Sequence, residues 1–315
     1  MENTFGDFLK NLRNSYKLTR KKLCSGICSE KQLERIEKNI NEPSVYILHH
    51  LSAKFNIDLN KFYKNFYHYE CFEDHEYCNN IISCIKKLDF TTLYAICKEL
   101  EKKPNFKKGT NFAHLCYGKA AYEFYINEEY YKTIEICIEG IQEESPNFTL
   151  QKVANNIYSD IGYSMLNLIC GCYRKLDKFE ESKTIAQFIL NSIEKFYFSQ
   201  SYQSYYSISF ITKLYQTILC QIVNTNYNLG HYNEALKNIE KCLSYSFDNN
   251  MSRLIASLFQ LKYLTLYKLG DYNGAREAYQ CSITLYKNSN KEKIAIEMEE
   301  KAKKEFPKIF DQNSN

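Results

Sequence analysis

A ten-residue segment that returns forty residues later constrains this 315-residue chain more than any other feature of it. Tyr227-Asn228-Leu229-Gly230-His231-Tyr232-Asn233-Glu234-Ala235-Leu236 comes back as Tyr267-Lys268-Leu269-Gly270-Asp271-Tyr272-Asn273-Gly274-Ala275-Arg276. Arg174 to Ser182 is a third copy, and weaker copies centre on Tyr131 and Phe90. A unit repeated at such a period cannot bury its apolar face alone and must stack on its neighbours. Each copy reads as a helix, a tight turn and a second helix, so from about Glu76 onward the chain is expected to be a helical array. A tail from Lys291 to Phe306, charged on one side, suits a capping helix.

Composition agrees with long helices and few elaborate loops, since only 4 Pro and 10 Gly are present. The length accommodates two domains, and 44% hydrophobic with 25% charged residues is ordinary for a soluble globular chain. Met1-Glu2-Asn3-Thr4 lacks the basic start of a signal peptide, and no apolar run is long enough to span a bilayer. The expected setting is therefore cytoplasmic, with no membrane contact. Thirteen cysteines lie scattered in apolar helical patterns without a repeated C-x-x-C pair, as suits reduced thiols used as small hydrophobes. Phosphate loops, G-x-S-x-G and H-E-x-x-H are missing from the sequence. No catalytic residue, metal site or cofactor is expected, and the chain is not read as an enzyme.

The first 66 residues have a different character. They hold 12 Lys/Arg against 7 Asp/Glu, whereas the remainder holds 29 against 30, so the positive excess belongs to the head. Six cations fall between Lys10 and Lys22 with no acid among them, a pattern suited to salt-sensitive contact with a phosphate backbone. Phe5, Phe8, Leu9 and Leu12 recur at helical spacing and predict a first helix. Thr19 is a good N-cap for a short helix over Arg20 to Cys24, and Ser29 for a third over Glu30 to Lys38. Leu33 and Ile36 form the inner face of that third helix, leaving Glu30, Lys31, Gln32 and Arg35 outside. Ser44 caps a fourth helix with Val45, Leu48, Leu51, Ala53 and Phe55 as its apolar face, and Leu59, Phe62, Tyr63 and Phe66 make a fifth. The expected organisation is a five-helix head over residues 1–67, a helical connector over 68–78, and the repeat domain over 79–315.

The head residues carry a resemblance. Leu18-Thr19-Arg20-Lys21-Lys22-Leu23, then Ser29-Glu30-Lys31-Gln32-Leu33-Glu34-Arg35-Ile36-Glu37-Lys38-Asn39, then Pro43-Ser44, resembles the phage-repressor-like (Xre-type) helix-turn-helix. The resemblance implies binding to double-stranded DNA through Arg20, Lys21, Ser29, Glu30, Lys31, Gln32, Arg35 and Lys38. Within that set Arg20 stands at the family's phosphate contact, and Glu30, Lys31 and Arg35 stand at its base readers. It also implies a partly buried Arg13–Glu37 pair. Asn39 stands where Gly is usual, a mild departure because Asn tolerates the left-handed conformation of a helix C-cap.

The repeat motif is similar to the tetratricopeptide repeat, which implies an all-α, right-handed solenoid of about five helical pairs. The observed spacings of roughly 40 to 53 residues exceed that repeat's usual ~34, so longer and less regular helices are expected. Head and repeats together resemble the peptide-pheromone-responsive regulators of the Rgg, PlcR and PrgX type. That resemblance implies a homodimeric, quorum-sensing transcription regulator switched by a short signalling peptide in the concave groove. Counting back from each turn by the repeat's own positions gives Lys119, Asn127, Asn167, Arg174, Asn224, Tyr227, Asn228, Gln260 and Tyr267 as peptide-binding residues. The same count includes Cys116 and Glu123. Two other readings stay open at this point: a phage-type lysis/lysogeny regulator of the same build, and a repeat scaffold for a protein partner whose head does not bind DNA.

Overall fold

The computed structural model describes residues 4–60, 62–63, 72–198, 209–289 and 292–310. Every regular element among them is helical, as the all-α expectation requires. The chain divides into two units, Met1–Asn80 and Ile81–Asn315.

The first unit contains α1 (Phe5–Ser15), α2 (Arg20–Cys24), α3 (Glu30–Glu37) and α4 (Val45–Phe55). Each begins at a hydroxyl that accepts from a first-turn amide with no partner inside its own helix: Thr4 from Asp7, Thr19 from Lys22, Ser29 from Gln32 and Ser44 from Ile47. Phe5, Leu9, Leu23, Leu33, Ile36, Leu51 and Phe55 form the core. The apolar face of α4 differs from expectation, because Val45 and Ala53 are exposed and Ile47 is buried beside Leu48, Leu51 and Phe55. A helix of 3.6 residues per turn keeps 47, 48, 51 and 55 on one side, and Ala53, two places from Leu51, must point away. Leu59 closes the core, Phe62 stacks on Phe8 at 4.9 Å and Tyr63 meets Phe5 edge-on at 5.0 Å. Phe66, expected at the end of the fifth helix, lies outside the described residues. Of the connector over 68–78, residues 68–71 also lie outside them, and 72–78 open helix α5 (Phe72–Lys87).

The second unit, which begins within α5 at Ile81, is built from helix pairs. α5 is followed by α6 (Phe90–Leu100), α7 (Gly109–Tyr122) by α8 (Tyr130–Gln142), and α9 (Asp160–Lys175) by α10 (Phe179–Ile193). Next come α11 (Ser209–Asn228) with α12 (Tyr232–Asp248), and α13 (Ile255–Leu269) with α14 (Tyr272–Asn288). In every pair one left-handed residue makes the turn: Leu88, Glu128, Asp177, Gly230 and Gly270, with φ between +56° and +86°. Two places later an aromatic opens the second helix: Phe90, Tyr130, Phe179, Tyr232 and Tyr272. Three residues further on stand Leu93, Thr133, Ser182, Ala235 and Ala275, none more than 1% exposed. The sequence pattern centres the second copy on Tyr131, and the structure moves it to Tyr130. Tyr131 is 58% exposed under the Lys178 ammonium, whereas Tyr130 packs on Phe124 at 5.6 Å. Two adjacent tyrosines and a turn without glycine leave nothing in the pattern to choose between the registers.

The first helices of successive pairs approach one another, α7 with α9, α9 with α11 and α11 with α13, more closely than the second helices do. The stack therefore curves with the first helices inside. One core cluster runs from Ala113 to Leu258, and a second joins Tyr263, Ala275 and Tyr279 to Ala295, Met298 and Ala302 of α15 (Glu292–Glu305), the charged helix that closes the array. The register makes a direct expectation. Tyr130→Ala should cost about 1–3 kcal/mol, the worth of a packed aromatic. Tyr131→Ala should change stability by no more than ~0.5 kcal/mol. Thermal unfolding of the two variants side by side checks it.

Candidate nucleic-acid interface and repeat groove

In the first unit the third helix is fastened from three directions. Leu33 and Ile36 hold its inner face in the core. Ser29 fixes its start, so the hydroxyl expected at DNA already accepts the Gln32 amide at 3.1 Å. At its end Asn39 turns left-handed at φ +56°, and its carboxamide donates to Thr4 Oγ1 at 2.7 Å and accepts from the Gly6 amide at 2.9 Å. Asn39 thus does more than tolerate the glycine position; it ties the end of α3 to the start of α1. Gly6 makes the approach possible, since a Cβ there would run into the Ile36 carbonyl oxygen and the Asn39 side chain.

Beneath this helix lies a buried charge cluster. Glu37 is 2% exposed, and its carboxylate receives Arg13 Nε at 2.6 Å and Nη2 at 3.1 Å, the pair that the resemblance implied. A second cation joins it: Arg20 Nε donates to Glu37 Oε2 at 2.8 Å. Arg20 is therefore not simply an outward-facing phosphate contact. Its side chain stays 34% exposed, and only the part of the guanidinium not held by Glu37 is left for a phosphate. Lys54, which the sequence did not single out, donates to the Lys22 and Ser25 carbonyls at 3.2 and 2.8 Å and so closes the C-terminus of α2. Glu30, Lys31, Gln32, Arg35 and Lys38 are exposed along the outer side of α3, and Lys21 is exposed on α2. Lys38 is partly engaged, pairing with Glu34 at 2.6 Å.

In the second unit the positions counted for the groove form the less buried line of three helices. The full count gives Ser164, Asn167, Gly171, Arg174 and Lys175 on α9; Thr217, Cys220, Asn224, Tyr227 and Asn228 on α11; and Ser257, Gln260, Leu264, Tyr267 and Lys268 on α13; all of them but the buried Gly171 are at least partly exposed. Several are already engaged. Asn167 accepts from Gln221 at 2.6 Å, Asn224 donates to the Cys220 carbonyl at 2.9 Å, and Gln260 accepts from Tyr286 at 3.1 Å. Tyr227 and Tyr267 pack edge-on against Tyr232 and Tyr272, the aromatics that open the paired helices. Asn228 is exposed. On α7 the count fails: Cys116 is in the core, Lys119 pairs with Glu101, just past α6, at 2.9 Å, and Asn127 donates to Glu123, itself paired with Lys132 of α8. The face of α7 turned to α9 carries Tyr117, whose hydroxyl lies near Ser164, and just beyond it Phe124 lies against Gly171. Lys119 stands about 200° around the helix from Tyr117. A π-turn over Glu123–Asn127 inserts one residue before the turn, so counting back through it leaves the groove face.

Gln221, which the sequence count passed over, is 8% exposed, and its Oε1 has no partner among the described residues. An apolar cleft of about 450 Å³ over Phe259 opens between α12 and α14, on the other side of the stack. Among the described residues no three His, Cys, Asp or Glu side chains gather as a metal site, and no helix is long and apolar enough to cross a membrane.

Neither a protein-family model nor a curated protein matches the chain. Solved structures do. Bacillus thuringiensis PlcR, in complex with the peptide PapR7 and DNA, superposes with a TM-score of 0.71 at 18% identity, over 94% of this chain and 99% of PlcR. The chain has the PlcR fold. The Streptococcus dysgalactiae SHP pheromone receptor Rgg2, solved as a cysteine-to-serine variant, matches at 0.63 and 14% identity over 96% of this chain and 99% of its own. A point mutant of PrgX matches at 0.56 and 16% identity over 96% of each chain. A helix-turn-helix head followed by tetratricopeptide-like pairs is therefore the shared architecture along nearly the whole length.

The charge cluster makes stability of the head pH-dependent. Burial pushes the Glu37 carboxyl up, and hydrogen bonds and charge from Arg13 and Arg20 more than reverse this, leaving it below the ordinary glutamate range. With the folded pKa depressed, its contribution is complete above about 4.3, the unfolded value, and is lost as pH falls through the folded one. Acid unfolding followed by circular dichroism should show that loss. Glu37→Gln should be less stable at neutral pH and flatter across the acidic window.

Proposed function

We propose that this chain is a DNA-binding transcription regulator that works as a homodimer in the cytoplasm and is switched by a short signalling peptide lying along the inner helices of the repeat unit. The exposed outer turn of α3 carries this reading. Glu30, Lys31, Gln32 and Arg35 stand free of the core on a helix whose two ends and inner face are all pinned, and a rigid helix with polar donors is what readout of base edges needs. Lys21 and the free part of Arg20 flank it and suit the phosphates. The inner helices add carboxamides at Asn167, Asn224, Asn228 and Gln260, groups that both donate to and accept from an extended peptide backbone. The shared fold supports the combination, because PlcR was solved with a peptide and DNA. Quorum sensing is the setting this suits, and the chemistry is recognition rather than catalysis.

The test begins with selection of bound duplexes from random DNA by the full chain. Fluorescence anisotropy over a salt series then compares variants on the selected site and on scrambled DNA. Lys31→Ala and Arg35→Ala should each cost roughly 1–3 kcal/mol on the selected site only. Arg20→Ala should weaken both duplexes alike and lower the salt slope by about one unit. Equal losses on both duplexes for all three variants would remove the base-reading assignment, and no selection at all would remove DNA binding.

A further inference from the structure

The inner line of the repeat unit carries a charge that its surroundings do not. Residues 67–315 are nearly balanced, with 29 Lys/Arg against 30 Asp/Glu. Along α9, α11, α13 and the turn that leads into α13, however, that line holds Arg174, Lys175, Lys213, Arg253 and Lys268 against Asp160 alone. Two of the cations converge. Arg253 donates to Thr217 at 3.2 Å, and both Arg253 and Arg174 lie near enough to the Cys220 thiol to draw its pKa down against the burial that lifts it to about 11. Neither arginine pairs with a carboxylate among the described residues. Arg174 Nε is shut off from solvent with no partner among those residues, and the nine-tenths-buried Gln221 leaves its Oε1 unpartnered on the same inner side. A half-buried guanidinium held without an anion is costly, since its desolvation is not offset.

We infer that the ligand of this groove is an anionic peptide whose carboxylate is received by Arg174, with Arg253 as the second cation that draws it in; this rests on the peptide-binding reading above. The carboxylate is either the peptide's C-terminus or an acidic side chain, and a guanidinium takes both in the same two-pronged way. Gln221 and Asn167 then face the neighbouring backbone amides.

Affinity selection on the full chain from three mixed-sequence heptapeptide pools tests the assignment: free acids without Asp or Glu, C-terminal amides containing Asp and Glu, and C-terminal amides without them. Retained peptides are quantified by mass spectrometry. The wild type should retain one acid-bearing pool roughly tenfold over the acid-free amides, about 1.4 kcal/mol, and which pool it is identifies the carboxylate. Arg174→Gln should abolish the preference and Arg174→Lys keep part of it. Equal retention of all pools, or an unchanged preference in Arg174→Gln, overturns the charge assignment while leaving a peptide groove. No retention of any pool overturns the peptide reading and this one with it. A second readout is independent of ligand: Arg174→Met should raise the melting temperature of the free protein by a few degrees, and a fall would mark Arg174 as a structural residue instead.

Discussion

Each helix pair of the repeat unit has to reverse direction within two or three residues, and that constraint organises everything after it. A single left-handed residue makes the reversal, the next residue leads into the second helix, and an aromatic then wedges into the angle. Glycine adopts that conformation freely, yet Leu88, Glu128 and Asp177 adopt it too, where an L side chain is strained by about 1–2 kcal/mol. Burial of Leu93, Thr133 and Ser182 three residues past the aromatic offsets the strain, and Ser182 satisfies its hydroxyl on the Cys170 carbonyl at 2.9 Å. Because the turns repeat, the first helices fall on one side and form an inner line.

The head rests on a different device. Glu37 is a buried carboxylate with two arginines on it, one from α1 and one from α2, so a single acid on α3 ties three helices together. Such a cluster adds little net stability over a hydrophobic one but has few alternative arrangements. The orientation of the outer turn of α3 follows from it, together with the Asn39 clamp on Thr4 and Gly6. The same arrangement commits part of Arg20, whose place in the helix-turn-helix pattern would otherwise read as wholly free for a phosphate.

The two units share a feature: polar groups along the outer side of α3 and the inner line of the repeats are in part held by neighbours. Asn167 is positioned by Gln221, and Asn224 by its own helix. Positioned donors lose little freedom on binding, which favours recognition over adaptability. Arg174 departs from this, a cation left without its counterpart beside Cys220.

Much of this was legible in the sequence. Capping hydroxyls at Thr19, Ser29 and Ser44, the bounds of α2, the inner face of α3 and three of the five turns all follow from local chemistry: a cap, a stripe or a glycine announces itself within a few residues; the Arg13–Glu37 pair, 24 positions apart, came only from the resemblance of the head to a known motif. The inner positions of α9, α11 and α13 were also countable, because their turns carry Gly or Asp at matching places and their helices are unbroken. The count failed on α7, where a π-turn added a residue that no pattern marks, and where Glu128 does the work of a glycine. Only the tertiary structure decided that Arg20 joins Glu37, that Asn39 reaches back to Gly6, that Lys54 closes α2, and that Arg174 lacks a partner. Those contacts join residues up to 33 positions apart, and a side chain's choice among distant partners is set by packing rather than by its neighbours in the chain.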